Sequence, residues 1–209
     1  MTGASGGVGT SAEALKIITR NVYSEALLFE AMSSAVQGEA VTAGAAQHER
    51  WMREAIRAAR EAELAGEVPV GTCVVVDDEL VAVAGNRTRT DCDPTAHAEI
   101  VALREAARKV GNYRLAKAVV YSTIEPCAMC AGALIQARVP LLVYGAVDEK
   151  AGAIDSHFGI CSSDQLNHRV TVVSGVLEAE CRALVQEFFR ARRTAGMEDD
   201  LEKEDTETR

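Results

Sequence analysis

The chain has 209 residues, 48% of them hydrophobic, enough to bury one sizeable core, so a single principal domain is expected. A formal net charge of −9 excludes a broadly basic nucleic-acid coat, and no apolar run approaches the length of a membrane span. Six cysteines without a regular framework fit a reducing cytoplasm better than a disulfide-stapled secreted fold, and neither a secretory signal nor a transit peptide is read at the start.

The acidity is unevenly spread. Residues 1–45 hold two basic and four acidic groups, residues 195–209 hold two and seven, and the stretch between is close to neutral. A basic cluster on the body is therefore still allowed, with Arg190, Arg192 and Arg193 as candidates; the same three residues would also suit a solvated helix end. Residues 1–45 are rich in Gly, Ala and Ser, with one helix-like patch from Ser11 to Ser34; they read as an N-terminal extension, disordered at least to Thr10. Residues 46–194 form the expected domain, and residues 195–209 an acidic tail for which disorder is expected.

In the domain, Trp51, Ala55, Ala58, Ala59 and Ala62 recur at helical spacing between Gln47 and Ala65, and Gly66 ends the run. Two apolar runs, Val70–Val76 and Leu80–Ala84, flank Asp77-Asp78-Glu79 and predict an antiparallel strand pair with a tight turn. A helix is expected from about Thr95 to Val110, started by Pro94 with Thr95 or Asp93 as cap and stopped by Gly111 and Asn112. A strand at Ala118–Thr123 runs into Glu125-Pro126, and the helix after it ends before Val139-Pro140. Strands follow at Leu141–Tyr144 and Val170–Val173, then a last helix from Glu178 to Arg193. This alternation implies a layered α/β domain with helices on both faces of a sheet.

Two motifs carry chemistry. Cys127 and Cys130 lie three apart, so on one helix their sulfurs share a face, and Pro126 suits the first turn. The positive end of the helix dipole favours thiolate there. His97 adds an imidazole, giving three zinc-type donors and a fourth position left for water, as in catalytic rather than structural sites. Glu99 follows His97 by two residues, so the pair is expected at a helix start, where both can face one site. A carboxylate there can shuttle a proton from a zinc-activated water. Competing readings of Cys127 and Cys130 are a redox pair or half of a structural zinc site. The first does not account for His97 and Glu99. The second lacks a second close pair among Cys73, Cys92, Cys161, Cys181, His157 and His168. Cys73 and Cys181 read as core residues.

The spacing from His97-Ala98-Glu99 to Pro126-Cys127-Ala128-Met129-Cys130 resembles that of zinc deaminases. More widely, the chain resembles the cytidine deaminase superfamily and, within it, the bacterial tRNA-specific adenosine deaminases, over about residues 48–194. The resemblance runs through Trp51-Met52, Glu67-Val68-Pro69-Val70-Gly71, Gly85-Asn86-Arg87, Asp93-Pro94-Thr95-Ala96-His97-Ala98-Glu99-Ile100 and Asn112-Tyr113-Arg114-Leu115. It continues through Glu125–Ala133, Asn167-His168-Arg169-Val170, Phe188-Phe189-Arg190 and Arg192-Arg193. Residues 154–165 fit only loosely.

The resemblance implies a three-layer α/β/α fold around a five-stranded mixed sheet. It implies one zinc per subunit on His97, Cys127 and Cys130, with Glu99 as proton shuttle. The implied reaction is adenosine to inosine at the wobble position of an arginine tRNA. Asn86 would bind the flipped base, and Asp148 and Asn167 would contact the anticodon stem-loop, although Asp148 also suits a plain surface turn. A cytoplasmic homodimer, whose second copy helps form the RNA groove, is implied as well. An anticodon loop is a sensible substrate because its bases are already unpaired. The rival readings are a free-base or nucleoside deaminase acting on guanine, cytosine or cytidine, and a catalytically inert RNA-binding subunit. The second has no chemical need for Glu99.

Overall fold

The computed structural model describes residues 44–207, with side chains to residue 194. Contacts divide the chain into two units, Met1–Ala46 and Gln47–Arg209, and the second holds the whole sheet. The expectations for residues 1–43, including the Ser11–Ser34 helix, lie outside the described residues.

The domain opens with α1, helical over residues 44–64 and closed by Gly66 in the left-handed region at φ 79°. β1 (Gly71–Val76) and β2 (Glu79–Gly85) pair antiparallel through a two-residue turn. Asp77 and Asp78 both take positive φ there, 50° and 63°, the backbone that tight hairpins require. Then come α2 (Ala98–Val110), β3 (Ala118–Ile124), α3 (Ala128–Gln136), β4 (Leu141–Ala146), a short 3-10 turn at Ile160–Ser162, β5 (Thr171–Val173) and α4 (Glu178–Glu207). The backbone of α4 thus stays helical past Arg193, where the sequence places its end.

The sheet has the order β2-β1-β3-β4-β5, antiparallel on either side of β1 and parallel from β3 to β5. It is the five-stranded mixed sheet implied by the resemblance. Side chains alternate between its faces because the strand repeat is two residues. Val74, Val120 and Leu142 face Leu103 and Ala106 of α2 and Leu134 and Ile135 of α3. Cys73, Val75, Tyr121 and Val143 face Trp51 and Met52 of α1 and Cys181 and Leu184 of α4. The result is three layers, as expected. The alanine stripe of α1 has a specific purpose: a Cβ at Gly71 would fall 2.0 Å from the Ala55 carbonyl oxygen, so helix and strand backbones nearly touch.

The strand directions gather the loops that matter. The start of β1 and the ends of β2, β3 and β4 all lie at one edge of the sheet. Segments at Val68–Val70, Asn86–Thr88, Ile124–Cys127 and Ala146–Ala151 therefore converge there, outside the carboxyl ends of the parallel strands where α/β proteins bind ligands.

Candidate active site

His97 and Glu99 come together because the helix begins later than its sequence signals suggest. α2 starts at Ala98, and His97 is its cap residue with an extended backbone, φ −67° and ψ 151°. Neither Asp93 nor Thr95 caps the helix. Instead the Asp93 carboxylate accepts the Thr95 backbone N–H and hydroxyl, both at 2.7 Å, closing a turn ahead of it. The change from extended to helical backbone at residue 97 is what lets side chains two apart converge.

Cys127 is likewise the cap residue of α3, and Cys130 lies in its first turn. Pro126 therefore precedes the helix rather than opening it. His97 Nδ1 stands 3.6 Å from each of the two sulfurs, and the three donor atoms lie within 4.8 Å of one another. Two ligands of a tetrahedral zinc, with Zn–N of about 2.0–2.1 Å and Zn–S of about 2.3 Å, would be roughly 3.6 Å apart. The donor set and its spacing both fit zinc.

The electrostatics agree. Hydrogen bonding from Cys130 and from His97 outweighs burial and lowers the Cys127 thiol to about 3, which favours the thiolate form. Donation to Cys127 and burial raise Cys130. The same thiolate raises His97 through its hydrogen bond. Glu99, 3% exposed, is raised by burial. Its Oε2 lies 3.5 Å from Cys130 Sγ, and its Oε1 accepts the Ser122 hydroxyl of β3 at 3.3 Å. The carboxylate is thus held against the metal-type donors from the sheet side.

These groups open into a cavity of about 960 Å³. Asn86, Thr88, Asp148 and Lys150 line it together with His97, Glu99 and Cys127, and α4 contributes Arg182, Phe189, Arg190 and Arg193. Asn86 and Asp148, two of the residues singled out in the sequence, thus both line the cavity. Asp148 also makes the turn foreseen as its other reading: its Oδ1 accepts the backbone N–H groups of Lys150 and Ala151 at 2.9 and 3.2 Å. Asn167 is not brought in. It is exposed, outside the cavity lining, and its Oδ1 and carbonyl oxygen accept Arg138 at 2.8 and 2.9 Å. The arginine trio divides: Arg190 and Arg193 face the cavity, while Arg192 donates to the Gly66 carbonyl at 3.0 Å and lies over the Phe188 ring at 4.6 Å.

Sequence reasoning missed two buried carboxylates, Glu67 and Glu125, each 1% exposed. Glu125 Oε1 accepts the backbone N–H groups of Ile154, Asp155 and Ser156, at 3.0, 2.8 and 2.9 Å. Its Oε2 accepts the Asp148 N–H at 3.1 Å and the Ser156 hydroxyl. It thereby holds the loop carrying Asp148 against the end of β3. A charge between Ile124 and Pro126, at the junction of a buried strand and a helix, was the available signal.

A family model for MafB19-like deaminases matches residues 46–193, from α1 into α4. The chain belongs to the MafB19-like deaminase family. This deaminase is 46% identical over 147 residues to the tRNA-specific adenosine deaminase of Haemophilus influenzae, covering 69% of this chain and 84% of that one. It is 43% identical to the enzyme of the same name from Bacillus subtilis, covering 70% and 91%. Among solved structures, one from work on A-to-I editing by tRNA:A34 deaminases superposes with a TM-score of 0.63 at 42% identity, over 65% of this chain and 98% of the other. A guanine deaminase from Nitrosomonas europaea superposes with a TM-score of 0.58 at 27% identity, over 67% and 83%. Among the described residues, no helix of the deaminase is long and apolar enough to cross a membrane.

Proposed function

We propose that the chain is a zinc-dependent tRNA adenosine deaminase that converts adenosine to inosine at the wobble position of the anticodon. The observation that carries this is the convergence of His97, Cys127 and Cys130 with the Glu99 carboxylate, 3.5 Å from Cys130 Sγ, beside a cavity that His97, Glu99 and Cys127 line. The substrate is supported by the names of the two curated relatives, each more than 40% identical.

His97, Cys127 and Cys130 would hold the zinc. Bound there, zinc supplies a Lewis acid that makes water an effective nucleophile near neutral pH. Glu99 removes a proton from the attacking water and delivers it to the ring nitrogen, and a second proton leaves with ammonia, so adenosine and water give inosine and ammonia. Burial raises Glu99, which makes its carboxylate a stronger base for taking that proton from water. Ser122 holds the other carboxylate oxygen and fixes its direction. Asn86 binds the base. Lys150, Arg182, Arg190 and Arg193 at the rim suit the phosphates of an RNA loop. Asp148 and Asn167 contact the anticodon loop, Asn167 from beyond the cavity. The arginine tRNA, the homodimer and the cytoplasm belong to this reading through family resemblance.

The test is to incubate zinc-loaded protein with an arginine tRNA bearing adenosine at the wobble position, and separately with free adenosine, cytidine and guanine. Inosine at that one position, with the free compounds untouched, is the expected result. Conversion of guanine with the tRNA unchanged would overturn it in favour of the chemistry of the Nitrosomonas neighbour.

A further inference from the structure

Glu67 stands behind the cavity wall without lining it. It follows Gly66, whose carbonyl oxygen takes two guanidinium donors, Arg89 at 2.9 Å and Arg192 at 3.0 Å. The segment between α1 and β1 is thereby fixed from two sides. Glu67 Oε1 accepts the backbone N–H groups of Arg89 and Thr90 at 2.9 and 2.7 Å, and the Thr90 hydroxyl at 2.9 Å. Its Oε2 accepts the Thr88 hydroxyl at 3.3 Å and the Asn86 side-chain amide at 3.2 Å. Burial alone would raise this carboxyl, but the donors from Thr90, Arg89 and Thr88 outweigh it and hold the group below its ordinary value.

An ionised carboxylate can only accept hydrogen bonds. Asn86 must therefore turn its NH2 end toward Glu67, and that end also lies 3.1 Å from Thr88 Oγ1. The carbonyl oxygen is the end of the amide left for the cavity. Among the described residues, nothing donates to it. We propose that Glu67 is a positioning residue that locks the Asn86 amide with its oxygen outward, so that the cavity selects a substrate group able to donate an N–H or O–H there. The proposal rests on the reading that Asn86 contacts the nucleoside. An amino group on the base or a hydroxyl on the ribose satisfies such an acceptor, whereas a ring carbonyl is repelled.

The test uses Glu67→Gln in the full-length, zinc-loaded protein. Its amide oxygen can take over the backbone donors at Oε1, while its NH2 meets the Asn86 NH2 donor to donor. We expect kcat/KM on an anticodon stem-loop to fall about ten- to a hundred-fold, the scale of losing a supporting hydrogen bond at a site, with zinc content unchanged. Added to Asn86→Ala, the same change should cost less than about two-fold, because coupled residues are non-additive. A stem-loop with 2′-deoxyadenosine at the reacting position identifies the donor. A penalty matching Asn86→Ala assigns it to the ribose hydroxyl, and equal rates assign it to the base amino group.

Parental activity in Glu67→Gln beside a damaged Asn86→Ala, or losses that multiply in the double variant, would overturn the positioning role alone. Parental activity in Asn86→Ala would remove the substrate contact, and the proposal with it. One readout needs no substrate: exchange of the Asn86 side-chain amide protons should be slow in the parent and faster in Glu67→Gln. Equal exchange in both proteins would overturn the proposal even if the RNA were never a substrate.

Discussion

Replacing Glu125 by alanine tests the idea that one buried carboxylate holds a whole wall of the cavity. The side chain accepts four backbone N–H groups, from Asp148, Ile154, Asp155 and Ser156, besides one hydroxyl. Each backbone N–H left buried without a partner costs about 1–3 kcal/mol. The alanine cavity admits water that recovers part of this, so the low end applies, roughly 4 kcal/mol for the four groups. That is a large share of a total stability of about 5–15 kcal/mol. For a chain of this size, about 2–4 °C per kcal/mol gives a fall in melting temperature of roughly 8–16 °C. Glutamine keeps the Oε1 acceptor but turns an NH2 toward the Asp148 N–H, so about 1–2 kcal/mol is expected. Thermal unfolding followed by circular dichroism, at fixed zinc and with metal content measured, reads both variants. An alanine variant melting within about 3 °C of the parent would refute the reasoning, because solvent would then replace the carboxylate at little cost. So would an equal loss in both variants.

Three further outcomes are expected. Glu99→Gln should lower turnover by about 10²–10⁴-fold, the usual share of a general acid–base group, while the protein keeps its zinc. Loss of zinc together with activity would instead make Glu99 a structural support. In Gly152→Ala, the new Cβ would fall 2.3 Å from Glu125 Oε2 and 2.6 Å from the Asp148 carbonyl oxygen. With that carboxylate pinned, about 1–3 kcal/mol of destabilisation should follow, and an unchanged denaturation midpoint would show that the loop yields freely. Finally, hydrogen bonding to Glu67 and Glu125 outweighs their burial and holds both below the ordinary carboxylate value. Their stabilising effect is complete above that unfolded-state value and disappears as pH drops through the lower folded one. Urea midpoints across acid pH should decline more gently in Glu125→Gln than in the parent, and parallel curves would refute the assignment.

How much of the molecule its sequence discloses depends on where the physical signals lie. The strands stand out because the faces of the sheet bury runs such as Val74-Val75 and Val120-Tyr121, and the β1–β2 hairpin because only a few residue types accept positive φ in a two-residue turn. The metal-type donors are legible because their residue types are chemically distinctive and closely spaced. The beginning of α2 is three residues later than Pro94-Thr95 suggests, since those residues close a turn on Asp93 that looks locally like a helix cap. Glu125 escapes notice because four of its five donors are backbone N–H groups, which leave no mark in a sequence, and Glu67 because its donors come from a loop 19 to 23 residues further on. The exclusion of Asn167 from the cavity depends on the path of the long connection between β4 and β5 and on its bonds to Arg138, neither of which local pattern encodes.

The two faces of the sheet divide the labour at its ligand-binding edge. The metal-type donors and Glu99 come from the starts of α2 and α3, which pack on one face through a continuous apolar layer. The remaining wall comes from Val68 and Val70 ahead of β1, the end of β3, the loops after β2 and β4, and α4, which packs on the opposite face. Changes in that second set can reshape the pocket without disturbing the metal-type donors and Glu99. A scaffold of this kind lets base preference drift while the deamination step stays intact, in keeping with a guanine deaminase superposing on this chain at only 27% identity.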